Sequence, residues 1–319
     1  MGRSGPVTEP AASARTSEER PHVVERLRKF ITRPRREQFA ILVHRFRRIF
    51  PTIPIPFRLP FGAWFMLGNG VLDSALLWGS FENAELRFVE RFLAPDMCVL
   101  DVGAHHGLYT LLASKRVGTR GKVIAFEPSP RERRSLSRNL RLNSASNVHI
   151  EPFALGNEVS KAALYLVQGA EDGCNSLRPP AVRASTPTVT VDTNSLDRYL
   201  EEAGISKVDF VKLDVEGAER EVLLGAQGLL AGSSPSRPVI LVEVQDLRTE
   251  PWGYCAREIL EILDRAGYDW FRMLDDGGLA PIEINNQRYD ANLVAIPRDR
   301  LADVCDRLGQ QFLGIARCK

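Results

Sequence analysis

Apolar runs at 97–103, 122–127, 148–153, 208–214 and 238–244 alternate with helical spacing at 107–116, 131–142, 195–203, 217–230 and 255–266. No other feature constrains the fold as much. Strands separated by helices run parallel, because each new strand is reached only by a long crossover connection. The expectation is an α/β, doubly wound sheet. The C-terminal end breaks the rhythm, since Tyr268–Leu274 and Asp290–Ile296 are strand-like runs divided by Asp275-Asp276-Gly277-Gly278 and Asn285-Asn286. There is no room for a crossover helix, so this pair is antiparallel.

The first parallel unit also carries chemistry. Val99, Leu100 and Val102 read as a buried strand, and Gly103 and Gly107, with Ala104, His105 and His106 between them, allow a tight turn. Such a turn brings a ligand to the backbone at the start of the next helix. Glu127 closes the next strand at the position of a ribose-binding acid, about 20 residues beyond the glycine turn. A dinucleotide fingerprint uses three glycines to seat a pyrophosphate, whereas D-x-G-x-x-x-G here has two. Asp101 repels a phosphate but suits a cationic amino-acid group or a sulfonium. S-adenosylmethionine carries both.

Hydrophobic residues make up 44% of the 319-residue chain and charged residues 26%, which is ordinary for a globular protein. Cys98, Cys174, Cys255, Cys305 and Cys318 are scattered, with neither zinc spacing nor a disulfide framework, and suggest a reducing, cytoplasmic setting. The net charge of +2 hides an asymmetry: residues 20–50 hold ten Lys or Arg against two acids, or +8, so the remainder carries −6. Residues 1–20 read as disordered. Residues 21–60 read as a basic helical N-terminal extension, two amphipathic helices parted by Pro34, followed by a Pro-rich connector through Pro60. That extension has three readings: a helix packed on the catalytic domain, contact with the inner face of an anionic membrane, or nucleic-acid binding. Residues 61–79 are apolar enough to raise a membrane span, but Leu67-Gly-Asn-Gly70 predicts two short strands around a hairpin turn instead. The catalytic domain is expected over 61–319, with extra strands at Ala162–Val167 and Thr186–Val191 in an insertion.

The residues resemble those of the FkbM-type methyltransferases from about Gly79 to Ile296. The resemblance rests on Gly79-Ser-Phe-Glu82, Leu100-Asp-Val-Gly-Ala-His-His-Gly-Leu-Tyr-Thr110 and Val123-Ile-Ala-Phe-Glu-Pro128. Asn139, Asn143, Ala154-Leu-Gly156 and Val211-Lys-Leu-Asp-Val-Glu-Gly-Ala-Glu219 continue it. It implies a Rossmann-like seven-stranded methyltransferase sheet with the terminal antiparallel hairpin. It also implies S-adenosylmethionine as cofactor, held by Glu82, Asp101, Gly103, Ala104, His105, Gly107 and Glu127, with Ala154 near the adenine. The acceptor it implies is a hydroxyl of a sugar, glycolipid or secondary metabolite. One departure stands out: the family's loop has Asn where this chain has His105, and Asn takes left-handed backbone more readily.

Acids at the carboxyl ends of the strands are the catalytic candidates, since ligands of open α/β sheets bind there. Asp214 is the first choice as base or acceptor orienter, with Lys212 steadying charge and Glu216 just beyond. A surface network of Lys212 with Glu216 or Glu219, the latter completing a helix first turn, is the alternative. Glu243, at the fifth strand's end, needs a partner or a substrate if buried. His105 and His106 titrate near neutrality, but their loop position favours capping or packing. Asp214, Glu216 and Glu243 could share a divalent ion, yet no local spacing calls for a metal. Other functions stay open: an RNA methyltransferase, which the −6 remainder disfavours, an NAD-dependent oxidoreductase, or a silent adaptor.

Overall fold

Pro34 ends one helical stretch and opens another, because its ring fixes φ and removes the N–H that a continuing helix needs. In the computed structural model, which describes residues 25, 28–50, 53–169, 173–180, 186–232, 237–285 and 287–310, residues 28–31 are helical and Arg35–Ile49 forms a 15-residue helix. Gln38 spans the intervening turn, its Nε2 amide donating to the carbonyls of Ile31 (3.0 Å) and Arg33 (2.8 Å). The stretch read as disordered, 1–20, lies outside the described residues. The chain divides into two units, Met1–Pro51 and Thr52–Lys319. Among the described residues no helix is long and apolar enough to cross a membrane.

Two expectations for the segment before the main sheet are corrected. β1 (Ile55–Arg58) lies inside the supposed Pro-rich connector and pairs antiparallel with β2 (Trp64–Leu67). Pro56 is tolerated because a two-stranded ribbon leaves one edge of each strand without a ladder partner. The hairpin turn is Leu59–Ala63, closed by Leu59 N–H to Ala63 O at 2.8 Å, and Leu67-Gly-Asn-Gly70 is no hairpin. Instead Gly70 caps the helix Val71–Trp78, donating its N–H to the Asp73 carboxylate at 2.9 Å.

The helix Asn83–Phe92 then leads into the sheet proper. Its strands are β3 (Cys98–Val102), β4 (Lys122–Phe126) and β5 (Val148–Glu151). β6 (Ala154–Leu155), β7 (Ser160–Tyr165) and β8 (Thr188–Asn194) make a separate three-stranded sheet. β9 (Phe210–Leu213), β10 (Val239–Gln245), β11 (Tyr268–Met273), β12 (Leu279–Ile282) and β13 (Asp290–Pro297) complete the large one. Its order is β12-β11-β13-β10-β9-β3-β4-β5, with β10, β9, β3, β4 and β5 mutually parallel and β13 antiparallel to both β10 and β11. The parallel strands and the antiparallel ending are as expected. β12, an edge strand folded back on β11, is additional and was hidden by its short length.

Alternation along these strands buries both faces, as a parallel sheet with helices on each side requires. Leu100, Val102, Ile124, Phe126, Leu213 and Val242 pack in one core, while Val99, Val123, Phe210 and Leu241 pack in the other. In the second core Phe210 meets Phe92 at 5.7 Å and Phe88 at 6.4 Å between ring centroids. The helix expected over 217–230 is broken into Glu219–Leu224 and Gln227–Ala231. Gly225 interrupts it because a Cβ there would lie 2.1 Å from the Gly156 carbonyl oxygen, so the chain passes backbone against backbone. Cys98, Cys174, Cys255 and Cys305 are free thiols, and Cys318 lies outside the described residues.

Candidate active site

The carboxyl ends of β3, β4, β9 and β10 open into one cavity of about 410 Å³. It lies where the chain, having built β4 and β5 on one side of β3, returns to build β9 on the other, the usual ligand position in such sheets. Of the residues singled out from the sequence, Glu82, Asp101, Gly103, Ala104, His105, Glu127, Ala154, Lys212, Asp214, Glu216 and Glu243 line it. Gly107 does not. It starts the helix Leu108–Val117 at φ +87°, and a Cβ there would meet Leu136 Cδ1 at 2.4 Å. Its smallness leaves room for the Leu136 side chain. Gly103 likewise makes room for protein: a Cβ would fall 1.8 Å from the backbone oxygen of Asp214.

The end of the cavity at β3 and β4 holds two buried acids. Asp101 accepts a hydrogen bond from the Thr110 hydroxyl at 2.5 Å, and burial raises its pKa to about 6 against the opposing pull of Thr110 and Lys212. Glu127 receives the backbone N–H groups of His105 and Ser129, each at 2.8 Å, one on each oxygen. Burial still lifts it to about 7, because its two neutral donors stabilise charge less than lost water did. His105 does adopt the left-handed conformation, φ +49°, and in doing so aims its N–H at Glu127. Its ring stacks on His106 at 3.8 Å, and burial followed by His105 lowers His106 to about 3, so that imidazole is neutral.

Asn139 and Asn143 brace the loop from behind. Asn139 donates to the His106 carbonyl (2.8 Å) and accepts from Met66 N–H (2.9 Å), while Asn143 exchanges hydrogen bonds with both backbone groups of Trp64. They tie β2 and the loop after β3 to one helix.

The opposite end, at β9 and β10, is built around a single ammonium. Lys212, 3% exposed, donates to Asp214 at 2.6 Å and stands 5.0 Å over the Tyr109 ring. Burial disfavours its charge, but Asp214, Glu82 and Glu243 more than compensate, and its pKa is raised. Tyr109 donates to Glu82 at 2.5 Å, and Asn292 donates to the other Glu82 oxygen at 3.3 Å. Burial works to raise Asp214, yet Lys212 and a hydrogen bond with Glu243 hold it below the ordinary carboxylate value. Glu243 moves far the other way, through burial and then the charges of Asp214 and Glu216. The two carboxyls thus shift in opposite directions, Asp214 toward its charged form and Glu243 toward its neutral one.

Glu216 sits at φ +56° and pairs with Arg248 Nε at 2.9 Å; burial and Asp214 raise it to about 8. The surface network envisaged for Lys212 with Glu216 or Glu219 does not form. Glu219 instead accepts from the backbone N–H of Val215 at 2.9 Å and caps the turn into its own helix. For a cation, Asp214, Glu219 and Glu243 converge within 4.8 Å, as do His105, His106 and Glu132. Glu219 takes the place expected of Glu216, which Arg248 holds aside.

Residues 173–177 of the insertion also line the cavity. Ser176 bridges to Tyr165 through the backbone and donates its hydroxyl to the Glu216 carbonyl at 2.8 Å. Sequence reasoning did not single out Tyr109, Thr110, Arg248 or Asn292. Tyr109 and Thr110 follow the glycine loop by less than one turn and were within reach of a helical-face argument. Arg248 and Asn292 were not: one depends on the short helix Asp246–Thr249, the other on the register that sets Glu243 opposite Asn292.

A family model described as the methyltransferase FkbM domain matches residues 101–270. "Methyltransferase 1" of Beauveria bassiana is 30% identical over 168 residues, covering 44% of this chain and 67% of that protein. The "2-O-methyltransferase NoeI" of Sinorhizobium fredii is 25% identical over 149 residues, 43% of this chain and 60% of its own length. Among solved structures, the methyltransferase FkbM from Methylobacillus flagellatus KT aligns with 15% identity and a TM-score of 0.41, over 72% of this chain and 56% of that one.

Proposed function

This chain belongs to the FkbM methyltransferase family, and on that premise we propose that it is an S-adenosylmethionine-dependent O-methyltransferase acting on a hydroxyl of a small molecule: a sugar, a glycolipid or a secondary metabolite. One observation carries the reading: a single cavity has two buried acids held by neutral donors at one end, and Asp214 paired with a buried ammonium close to Glu243 at the other.

The first end suits the donor. A cavity of about 410 Å³ is in the range of small-ligand sites, and Ala154 lines it. Each Glu127 oxygen keeps a lone pair after receiving one N–H, enough to accept from two ribose hydroxyls. Asp101, ionised at neutral pH, favours a cationic ligand. S-adenosylmethionine supplies a methyl group already activated on its sulfonium, so the protein has only to align an acceptor and accept its proton.

At the second end Asp214 receives the acceptor hydroxyl's hydrogen bond. As the C–O bond forms and the C–S bond breaks, the hydroxyl proton passes to Asp214, and the neutral Glu243 beside it adds no second negative charge to the site. Lys212 holds Asp214 in place and keeps it ionised until then, and a placed base of this kind contributes about 10²–10⁴-fold. Asp214→Asn is expected to retain donor binding by calorimetry and lose turnover by about that factor; unchanged turnover removes Asp214 from the mechanism. Binding of NAD without binding of S-adenosylmethionine or S-adenosylhomocysteine would overturn the whole reading.

A further inference from the structure

We infer that the helix Arg35–Ile49 is a docking face for an anionic lipid bilayer, lying in the plane of its interface. Leu42, Phe46 and Ile49 are 52%, 39% and 71% exposed, and the stripe continues into Phe50, 45% exposed, whose ring lies 5.0 Å from that of Phe46. Spacings of four, three and one residues put these side chains on one side of the helix. Ala40, Val43 and Arg47 are its buried residues, so the burial already present leaves this stripe uncovered. Single exposed apolar residues are ordinary, but a continuous row along one helix is not.

The charges select the occupant. The helix holds five arginines against Glu37 alone. Arg35, Arg36, Arg45 and Arg48 are exposed, and Arg45 and Arg48 each immediately precede a member of the apolar stripe. Arg35 and Arg36 stand in the first turn, where the helix dipole disfavours cations, so helix stability does not account for them. A second copy of the helix would set arginines against arginines. A nucleic acid would take the arginines and leave Leu42, Phe46 and Ile49 in water. A bilayer with anionic headgroups takes both, apolar side chains sinking below the headgroups and arginines staying among the phosphates. At 15 residues, with this many charges, the helix lies on such a surface and does not span it.

Co-sedimentation of the full chain with vesicles tests this, using phosphatidylcholine alone and equal parts phosphatidylcholine and phosphatidylglycerol. The chain is expected to partition onto the anionic vesicles and not the neutral ones. Arg45→Gln with Arg48→Gln should weaken partitioning roughly 25-fold, at about fivefold per arginine. Leu42→Asn with Ile49→Asn should weaken it by roughly tenfold or more. Unchanged far-ultraviolet circular dichroism and donor affinity would show that both variants fold. Equal pelleting with both vesicle types, or variants that pellet like the parent, overturns the inference. So does a dimer that the Leu42→Asn, Ile49→Asn variant dissolves, or an RNA complex, in the absence of vesicle binding. Loss of vesicle binding leaves the methyl-transfer reading intact, since donor binding is measured without lipid.

Discussion

Replacing Lys212 with Met removes the ammonium buried among Asp214, Glu82 and Glu243, together with its contact over the Tyr109 ring, while keeping an unbranched side chain up to Cε. Breaking a buried ion pair from one side costs about 3–5 kcal/mol, because the remaining charge stays desolvated. Asp214 keeps about a quarter of its side-chain surface accessible, 26%, so the lower half of that range applies. The carboxylate has an escape: it takes up a proton. In the parent, Asp214 is depressed, so its contribution is present above the unfolded pKa and is lost only as pH falls through the folded value. In the variant, burial, the largest cause, is opposed only by the Glu243 hydrogen bond and Arg248, and the folded pKa is expected to rise above the unfolded one, so stability is present in acid and lost as pH climbs. The gap between parent and variant must therefore widen from pH 5 to pH 8. At 2–4 °C per kcal/mol for a domain of this size, a 3–4 kcal/mol gap at pH 8 is roughly 6–16 °C in Tm. Differential scanning fluorimetry across that pH range measures it. A gap independent of pH, or below about 1 kcal/mol, would refute the view that Lys212 is the charge on which this end of the cavity depends.

The parent protein itself should lose stability as pH rises from about 5 to 8. Glu127, Glu219 and Glu216 are raised by burial to about 7, 7 and 8, so each contributes stability below its unfolded pKa that disappears through its folded one. Urea unfolding at the two pH values measures the drop, and Glu127→Gln should flatten it; a steeper dependence in that variant would contradict the assignment. Gly103→Ala combines left-handed backbone with a Cβ 1.8 Å from the Asp214 carbonyl oxygen, and should cost about 3 kcal/mol or more. Donor binding should fall with it, as the loop after β3 shifts. Gly107→Ala meets only the flexible tip of Leu136, so calorimetry should find a smaller loss of donor affinity. Phe210→Ala should destabilise by about 3–5 kcal/mol in chemical unfolding while leaving the cavity's acids in place.

What the sequence decided was local or periodic. Near-continuous apolar runs separated by helical spacing require parallel strands with both faces covered, and the short C-terminal spacing requires antiparallel return; neither depends on details of packing. The glycine loop and the acids at strand ends were legible for the same reason: a strand's carboxyl end is a position along the chain. The places where reading failed share a different cause. Asn69-Gly70 looks like a hairpin turn, but Asp73 lies three residues on and caps a helix, while β1 found its partner across Leu59–Ala63. The 217–230 helix breaks where Gly225 meets Gly156, a contact between segments nearly seventy residues apart. What the sequence did not reveal is which protein atoms the two glycines leave room for: the Asp214 carbonyl at Gly103 and the Leu136 side chain at Gly107.

Above all, the sequence placed Lys212, Asp214, Glu216 and Glu243 at one edge without saying which of them is charged. Tertiary structure decided that, by putting Lys212 against Asp214, Glu243 beside both and Arg248 against Glu216. A carboxyl group's proton is set by desolvation and by charges a few ångströms away, and those distances exist only once distant segments have packed.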